Sequence, residues 1–179
     1  MDTDYTVVYF HGYGSSPQSD KVKGLNQHFD VFAPEIPIQY DVAKAYLHGM
    51  LSDYCRKRDL VLVGTSLGGY WAGVMSNLLA LPAVLINPSC YPSVTLSRYR
   101  DSKLTEEELR KYIPLVLSTD APRSILLAKD DDVINYEVAE TLFSKKCDVK
   151  VFETGGHRFN DINTIRDSII ELQKGFGTP

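Results

Sequence analysis

A serine with a glycine two positions to either side, Gly64-Thr65-Ser66-Leu67-Gly68, is the most informative pentapeptide of this 179-residue chain. It follows the apolar run Leu60 to Val63 and precedes a glycine-rich helical segment, Leu67 to Ala80. That is the setting of a nucleophile elbow, a tight strand-to-helix turn that presents a serine hydroxyl. The two glycines leave room for the strained backbone to pass close to its neighbours. The helix that follows aims its N-terminal N–H groups at charge developing beside Ser66. A serine hydroxyl attacks carbon only with a base, and the base needs an orienting group.

Four histidines are candidates for that base: His11, His28, His48 and His157. His28 and His48 fall inside helical segments. His157 follows the last strand in Thr154-Gly155-Gly156-His157, a loop whose glycines let it aim a side chain across the sheet edge. The acid cluster Asp130-Asp131-Asp132 follows the run Ser124 to Ala128, and each of the three is a candidate orienter. After the first strand comes His11-Gly12-Tyr13-Gly14-Ser15-Ser16, a loop suited to shaping an oxyanion hole. The donors expected are the backbone N–H groups of Tyr13 and Leu67, with His11 holding the loop. Neither glycine-rich segment carries the ending of a phosphate-binding loop or a G-x-G-x-x-G. Cys55, Cys90 and Cys147 are too scattered for a disulfide framework or a zinc site, and no base is placed beside Cys90 to make its thiol a nucleophile. Neither cofactor nor metal is expected.

These residues need a scaffold, and the chain supplies one. Tyr5 to Phe10, Val31 to Ala33, Leu60 to Val63, Ala83 to Ile86, Ser124 to Ala128 and Val149 to Phe152 read as strands. Several are apolar at consecutive positions, which suits strands covered on both faces. Helical patterns fill the gaps over Ser19 to Phe29, Asp41 to Lys57, Leu67 to Ala80, Asn135 to Lys146 and Asn160 to Lys174. Such alternation predicts an α/β fold with a parallel sheet, in one domain over residues 1–179. One long connection, 88–122, breaks the rhythm with a capping box at Thr105-Glu106-Glu107-Glu108. Long insertions tend to be lids or binding loops. Its Tyr91, Leu96, Tyr99, Leu104 and Tyr112 would form either an acyl-binding wall or a cover for the sheet edge.

Composition narrows the partners. Nineteen basic against 23 acidic side chains give a net charge of −4, without the basic excess of a nucleic-acid binder. The Arg56-Lys57-Arg58 run reads as cations at a helix end. No apolar stretch approaches the roughly 20 residues of a membrane span. The acidic start, Met1 to Gly14, lacks a signal-peptide layout, so a cytoplasmic protein with reduced thiols is expected.

Five stretches now stand in order: Tyr9 to Tyr13 with Ser15-Ser16-Pro17 and Ser19; Gly64 to Tyr70; Leu81 to Val84 with Asn87-Pro88; Asp131 to Tyr136; and Gly155 to His157. Spanning nearly the whole chain, they make it resemble an α/β-hydrolase, and more closely the small bacterial esterases of the YqiA type. The serine, acid and histidine follow one another in the order of that fold. Asp131-Asp132-Val133-Ile134 is similar to its D-x-V-[IV] acid loop, which favours Asp131. One departure is Asp130, where such proteins usually carry a glycine. The resemblance implies a three-layer fold whose six-stranded parallel sheet has the order 2-1-3-4-5-6. It also implies carboxylic or thioester hydrolysis by Ser66, Asp131 and His157. The expected activity is therefore a serine hydrolase for small to medium acyl esters, its partner a small-molecule ester. A hydrolase-like ligand- or partner-binding protein, and an acyltransferase using the same triad, are the competing readings.

Overall fold

A computed structural model of the chain describes residues 5–99, 104–118 and 120–176. The elements run β1 (Tyr5–Phe10), α1 (Asp20–Leu25), β2 (Asp30–Phe32), α2 (Tyr40–Cys55), β3 (Asp59–Thr65), α3 (Leu67–Leu79), β4 (Ala83–Ile86) and α4 (Pro92–Ser97). They continue through α5 (Glu106–Lys111), β5 (Arg123–Ala128), α6 (Tyr136–Phe143), β6 (Asp148–Phe152) and α7 (Ile162–Phe176). The six strands form one sheet in the order β2-β1-β3-β4-β5-β6, parallel throughout. This is the order the resemblance implied.

Side chains of successive strand residues point to opposite faces, and here both faces are apolar. Val8 and Phe10 of β1 join Leu60 and Leu62 of β3 on one face, under α2, α3 and α6. Val7 and Tyr9 join Val61 and Val63 on the other, under α1 and α7. The outcome is three layers, helices–sheet–helices. In α2 only Ala43, Leu47 and Leu51 are buried, a narrow stripe at four-residue spacing. In α3 nine of the first ten residues are buried, because it crosses the centre of the sheet beside β3 and β4.

Four details differ from the sequence reading. Helix α1 stops at Leu25 rather than near Phe29: Gln27 and His28 bond back only three residues, to Gly24 and Leu25, and the chain tightens into a turn. Helix α4 was not anticipated; it is six residues long, and Pro92 in its first turn is the local cue. The box before α5 is half made. Thr105 Oγ1 accepts from the Glu108 N–H at 3.2 Å, but the Glu108 carboxylate turns away to accept from the Tyr40 N–H and from Lys111. It thereby fastens α5 to the start of α2. The basic run also divides, with Arg58 bridging to Asp30 on β2 at 2.5 Å. Among the described residues no helix is long and apolar enough to cross a membrane.

Candidate active site

Ser66 occupies the junction of β3 and α3 with φ 57° and ψ −118°. A non-glycine residue in that region carries about 1–3 kcal/mol of strain, tolerated only where the surroundings over-determine it. Here they do. The Ser66 N–H donates to the Ile86 carbonyl, and the Ser66 carbonyl accepts from Tyr70 and Ser89, each at 3.0 Å. The glycines act as their spacing suggested. A Cβ on Gly64 would run into the Gly68 carbonyl, and one on Gly68 into the Phe10 carbonyl. Strand, helix and the end of β1 are thus pressed together around the serine.

His157 lies in the loop after β6, which Gly155 (φ 156°) and Gly156 (φ 58°) turn back over the sheet edge. Its Nδ1 is 3.0 and 2.9 Å from the two carboxylate oxygens of Asp131. The Asp131 side chain is 1% exposed, and its Oδ1 also accepts from the Val133 and Ile134 N–H groups at 2.8 and 2.9 Å. A carboxylate accepts only, so Nδ1 carries the proton and Nε2 is left with its lone pair. The three acids of the cluster do different things. Asp130 Oδ1 accepts from the Gly156 N–H at 2.7 Å and pins the histidine loop, and Asp132 is exposed at the rim of the cleft.

The cleft, about 790 Å³, is lined by Ser66 and His157 together with Gly12, Tyr13, Tyr99 and Lys21. Tyr13 and Tyr99 pack ring to ring within its lining, with centroids 4.8 Å apart. Of the five apolar residues flagged in segment 88–122, Tyr99 is the one that reaches the cleft. Leu96 and Tyr112 are buried in the core under α2 and α3, Leu104 packs against that core, and Tyr91 is exposed. Among the described residues neither Ser66 Oγ nor His157 Nε2 is hydrogen-bonded. The same holds for the backbone N–H groups of Tyr13, which lines the cleft, and of Leu67, the residue after Ser66. His11, 8% exposed, faces away: Nδ1–H donates to the Gly12 carbonyl at 3.0 Å and Nε2 accepts from the Ile36 N–H at 3.4 Å. Both nitrogens are occupied in holding the loop. His48 is exposed and His28 half-buried against Phe29, outside the cleft lining.

Two contributors were not visible in the sequence. Asn87, at φ 40°, accepts from the Ala128 N–H through Oδ1 and donates through Nδ2 to the carbonyls of Gly156 and His157 at 2.9 and 3.1 Å. It clamps the histidine loop to β4 and β5. Lys21 is 5% exposed and its Nζ donates to Thr65 Oγ1 at 2.8 Å. Burial, and secondarily the Arg158 charge, lowers its amine to about 7. The available cue was position: Lys21 shares a helix face with Leu25, four residues on, in a stripe that is otherwise apolar. Burial also pushes the Tyr9 hydroxyl, which shares Thr65 Oγ1 at 3.1 Å, up to about 12. The Cys90 thiol is likewise raised to about 12, far from the thiolate a nucleophile requires. Among the described residues no group of three or more His, Cys, Asp or Glu is gathered to hold a metal.

Known proteins bear on this arrangement at two levels. By sequence, a UPF0227 protein of Shewanella woodyi (strain ATCC 51908 / MS32) is 23% identical over 179 residues, 94% of this chain and 99% of that protein. Another, from Shewanella sp. (strain ANA-3), is 27% identical over 108 residues, and the match spans 59% of this chain and only 60% of the relative. By structure, Est1E from Butyrivibrio proteoclasticus, solved with ferulic acid bound, superposes with a TM-score of 0.76 at 13% identity over 95% of this chain and 88% of that one. An esterase from Pyrococcus furiosus gives 0.75 at 16% identity, covering 97% and 82%. The mouse alpha/beta hydrolase domain-containing protein 10 gives 0.76 at 13% identity, covering 96% and 90%. Those likenesses establish the α/β-hydrolase fold. The profile of the uncharacterised protein family UPF0227 matches residues 6–174, and the chain is a member of that family.

Proposed function

We propose that this protein is a serine hydrolase that cleaves small to medium acyl esters, oxygen or thio, through a Ser66–His157–Asp131 triad and an acyl-enzyme. The observation that carries the reading is the pairing of His157 Nδ1 with the buried Asp131 carboxylate, across a cleft from a serine held in the left-handed region. The esterases among the structural neighbours support it. Residues 1–179 act as one domain in this reading, with segment 88–122 contributing Tyr99 to the acyl side of the cleft.

The reaction runs in two halves. Ser66 Oγ attacks the acyl carbon as its proton passes to His157 Nε2, and the carbonyl oxygen becomes an oxyanion on the Tyr13 and Leu67 N–H groups. Collapse breaks the bond to the leaving alkoxide or thiolate, which takes the proton from Nε2. Water then repeats the sequence on the acyl-enzyme, giving the acid and restoring Ser66. The transfer needs Nε2 free to accept, which the Asp131 contact to Nδ1 provides.

Intact mass after treatment with a fluorophosphonate tests this without a guess at the substrate. One adduct on wild type and none on Ser66→Ala is expected. Labelling of both proteins moves the nucleophile elsewhere, and no adduct on folded wild type favours a ligand-binding protein. Product analysis with water against an alcohol acceptor separates hydrolase from acyltransferase.

A further inference from the structure

None of the steps above uses Lys21, yet its amine is bonded on both sides of the reaction. One hydrogen bond goes to Thr65 Oγ1 at 2.8 Å, on the residue immediately before Ser66. A second goes to the backbone carbonyl of Arg158, immediately after His157. Asp131, Asn87 and Asp130 all anchor the histidine loop from the β4 and β5 side. Among the described residues, Lys21 is the side chain whose hydrogen bonds join that loop to the strand bearing the nucleophile.

Stability does not explain a lysine at this place. Its amine is buried, and among the described residues no carboxylate lies within ion-pairing range. The neighbouring Asp20 is paired instead with Lys23 at 3.0 Å. The Tyr9 ring and the Arg158 charge are near the amine, and Asp20, Asp132, His157, Tyr13 and Tyr99 share its cleft. A buried amine without a counter-ion costs desolvation energy that an apolar side chain of the same length would avoid.

We propose that Lys21 is a positioning residue for this hydrolysis: its two hydrogen bonds set the spacing over which His157 takes the proton of Ser66. The inference rests on the serine-hydrolase reading. Proton transfer needs about 2.6–3.2 Å between heavy atoms, and a displacement of about 1 Å costs on the order of 100-fold in rate. Cutting the tie loosens the base relative to the nucleophile while leaving both in place.

The test compares wild type, Lys21→Met and Lys21→Ala, the last with and without n-propylamine. Two quantities are read: the fluorophosphonate labelling rate at Ser66, and amide hydrogen exchange over residues 154–160. Methionine keeps the volume and removes the donors. The expected result is a folded Lys21→Met protein with faster exchange over that loop and labelling slowed about 10- to 100-fold. With a p-nitrophenyl ester, kcat falls while KM stays within about twofold. Propylamine, filling the space left in Lys21→Ala, restores part of both. Labelling of Lys21→Met within about twofold of wild type overturns the proposal, as does slowed labelling with unchanged loop exchange. A wild type that never labels overturns the hydrolase reading itself. That failure is told apart because the exchange measurement does not involve Ser66.

Discussion

Asp131 shows what one carboxylate is asked to do at this site. It accepts from two backbone N–H groups of its own loop and from His157 Nδ1, and is sealed from water while doing so. In Asp131→Asn the amide oxygen can keep the Val133 and Ile134 bonds, but the amide NH₂ then faces Nδ1. The imidazole responds by carrying its proton on Nε2, the atom that receives one from Ser66 in the proposed mechanism. We expect ester turnover to fall by about 10³- to 10⁴-fold with little change in the thermal midpoint, read by ester hydrolysis beside a melting curve. Sequence alone leaned toward Asp131 through the D-x-V-[IV] likeness, but nothing in three consecutive aspartates says which carboxylate lies beneath the ring. Loop curvature decides that, and Asn87, 44 residues upstream of Asp131, helps to fix it. Lys21 was hidden for a related reason: a lysine in the first turn of a short helix ordinarily points to water.

The strands were legible because a buried parallel sheet writes itself as consecutive apolar residues, and all six predicted runs lie within or across observed strands. Helix ends were less so. The end of α1 depends on three-residue hydrogen bonds, and α4 is too short to show a periodicity. The least legible link between elements is Arg123, at the start of β5. It is 3% exposed, and its guanidinium donates to Ser76 Oγ (2.8 Å), Asn77 Oδ1 (2.9 Å) and the carbonyls of Ser118 and Ala121 (2.5 and 3.1 Å). One side chain thus joins the end of α3 to the connection that leads into β5. Arg123→Met leaves these acceptors without their donor. The expected loss is about 3 kcal/mol, seen as a lower urea midpoint with an unchanged slope. A change of slope would instead mean that the connection has detached in the native state.

Across the whole molecule, Lys21 links charge to stability in the neutral to mildly alkaline range. Its amine titrates near 7 in the folded chain, against an unfolded value of 10.5. Between those values the unfolded chain holds one more proton than the folded one, so stability rises with pH from about 7 toward 10.5. Below pH 7 both forms hold the proton and the cost is present in full. Tyr9 has the opposite sign, since the folded form keeps its proton to about 12 and stability falls above pH 10. The Cys90 thiol, also raised to about 12 from an unfolded 9.0, acts in that same opposite sense from about pH 9 upward, so the comparison of wild type with Lys21→Met is what isolates the lysine. Relative to Lys21→Met, wild type should gain on the order of 3 kcal/mol between pH 7 and 10, and Lys21→Met is the more stable protein at pH 6. Chemical denaturation of the two at pH 6, 8 and 9.5 measures the difference, and parallel curves would contradict it. A variant that is sturdier yet slower would mark this lysine as kept for the reaction rather than for the fold.

The parts of the cleft are strung along the chain in the order in which the strands occur. The oxyanion loop follows β1, the serine follows β3, the acid follows β5, and the imidazole comes only after β6. During synthesis the elbow is therefore made long before its base exists. Sheet, α3 and the buried Trp71 can be assembled around an inert hydroxyl. On the proposed mechanism, reactivity requires His157 and so waits until β6 is in place beside β5. A chain that works as proposed would therefore carry an inert serine through synthesis and gain its chemistry only on completion.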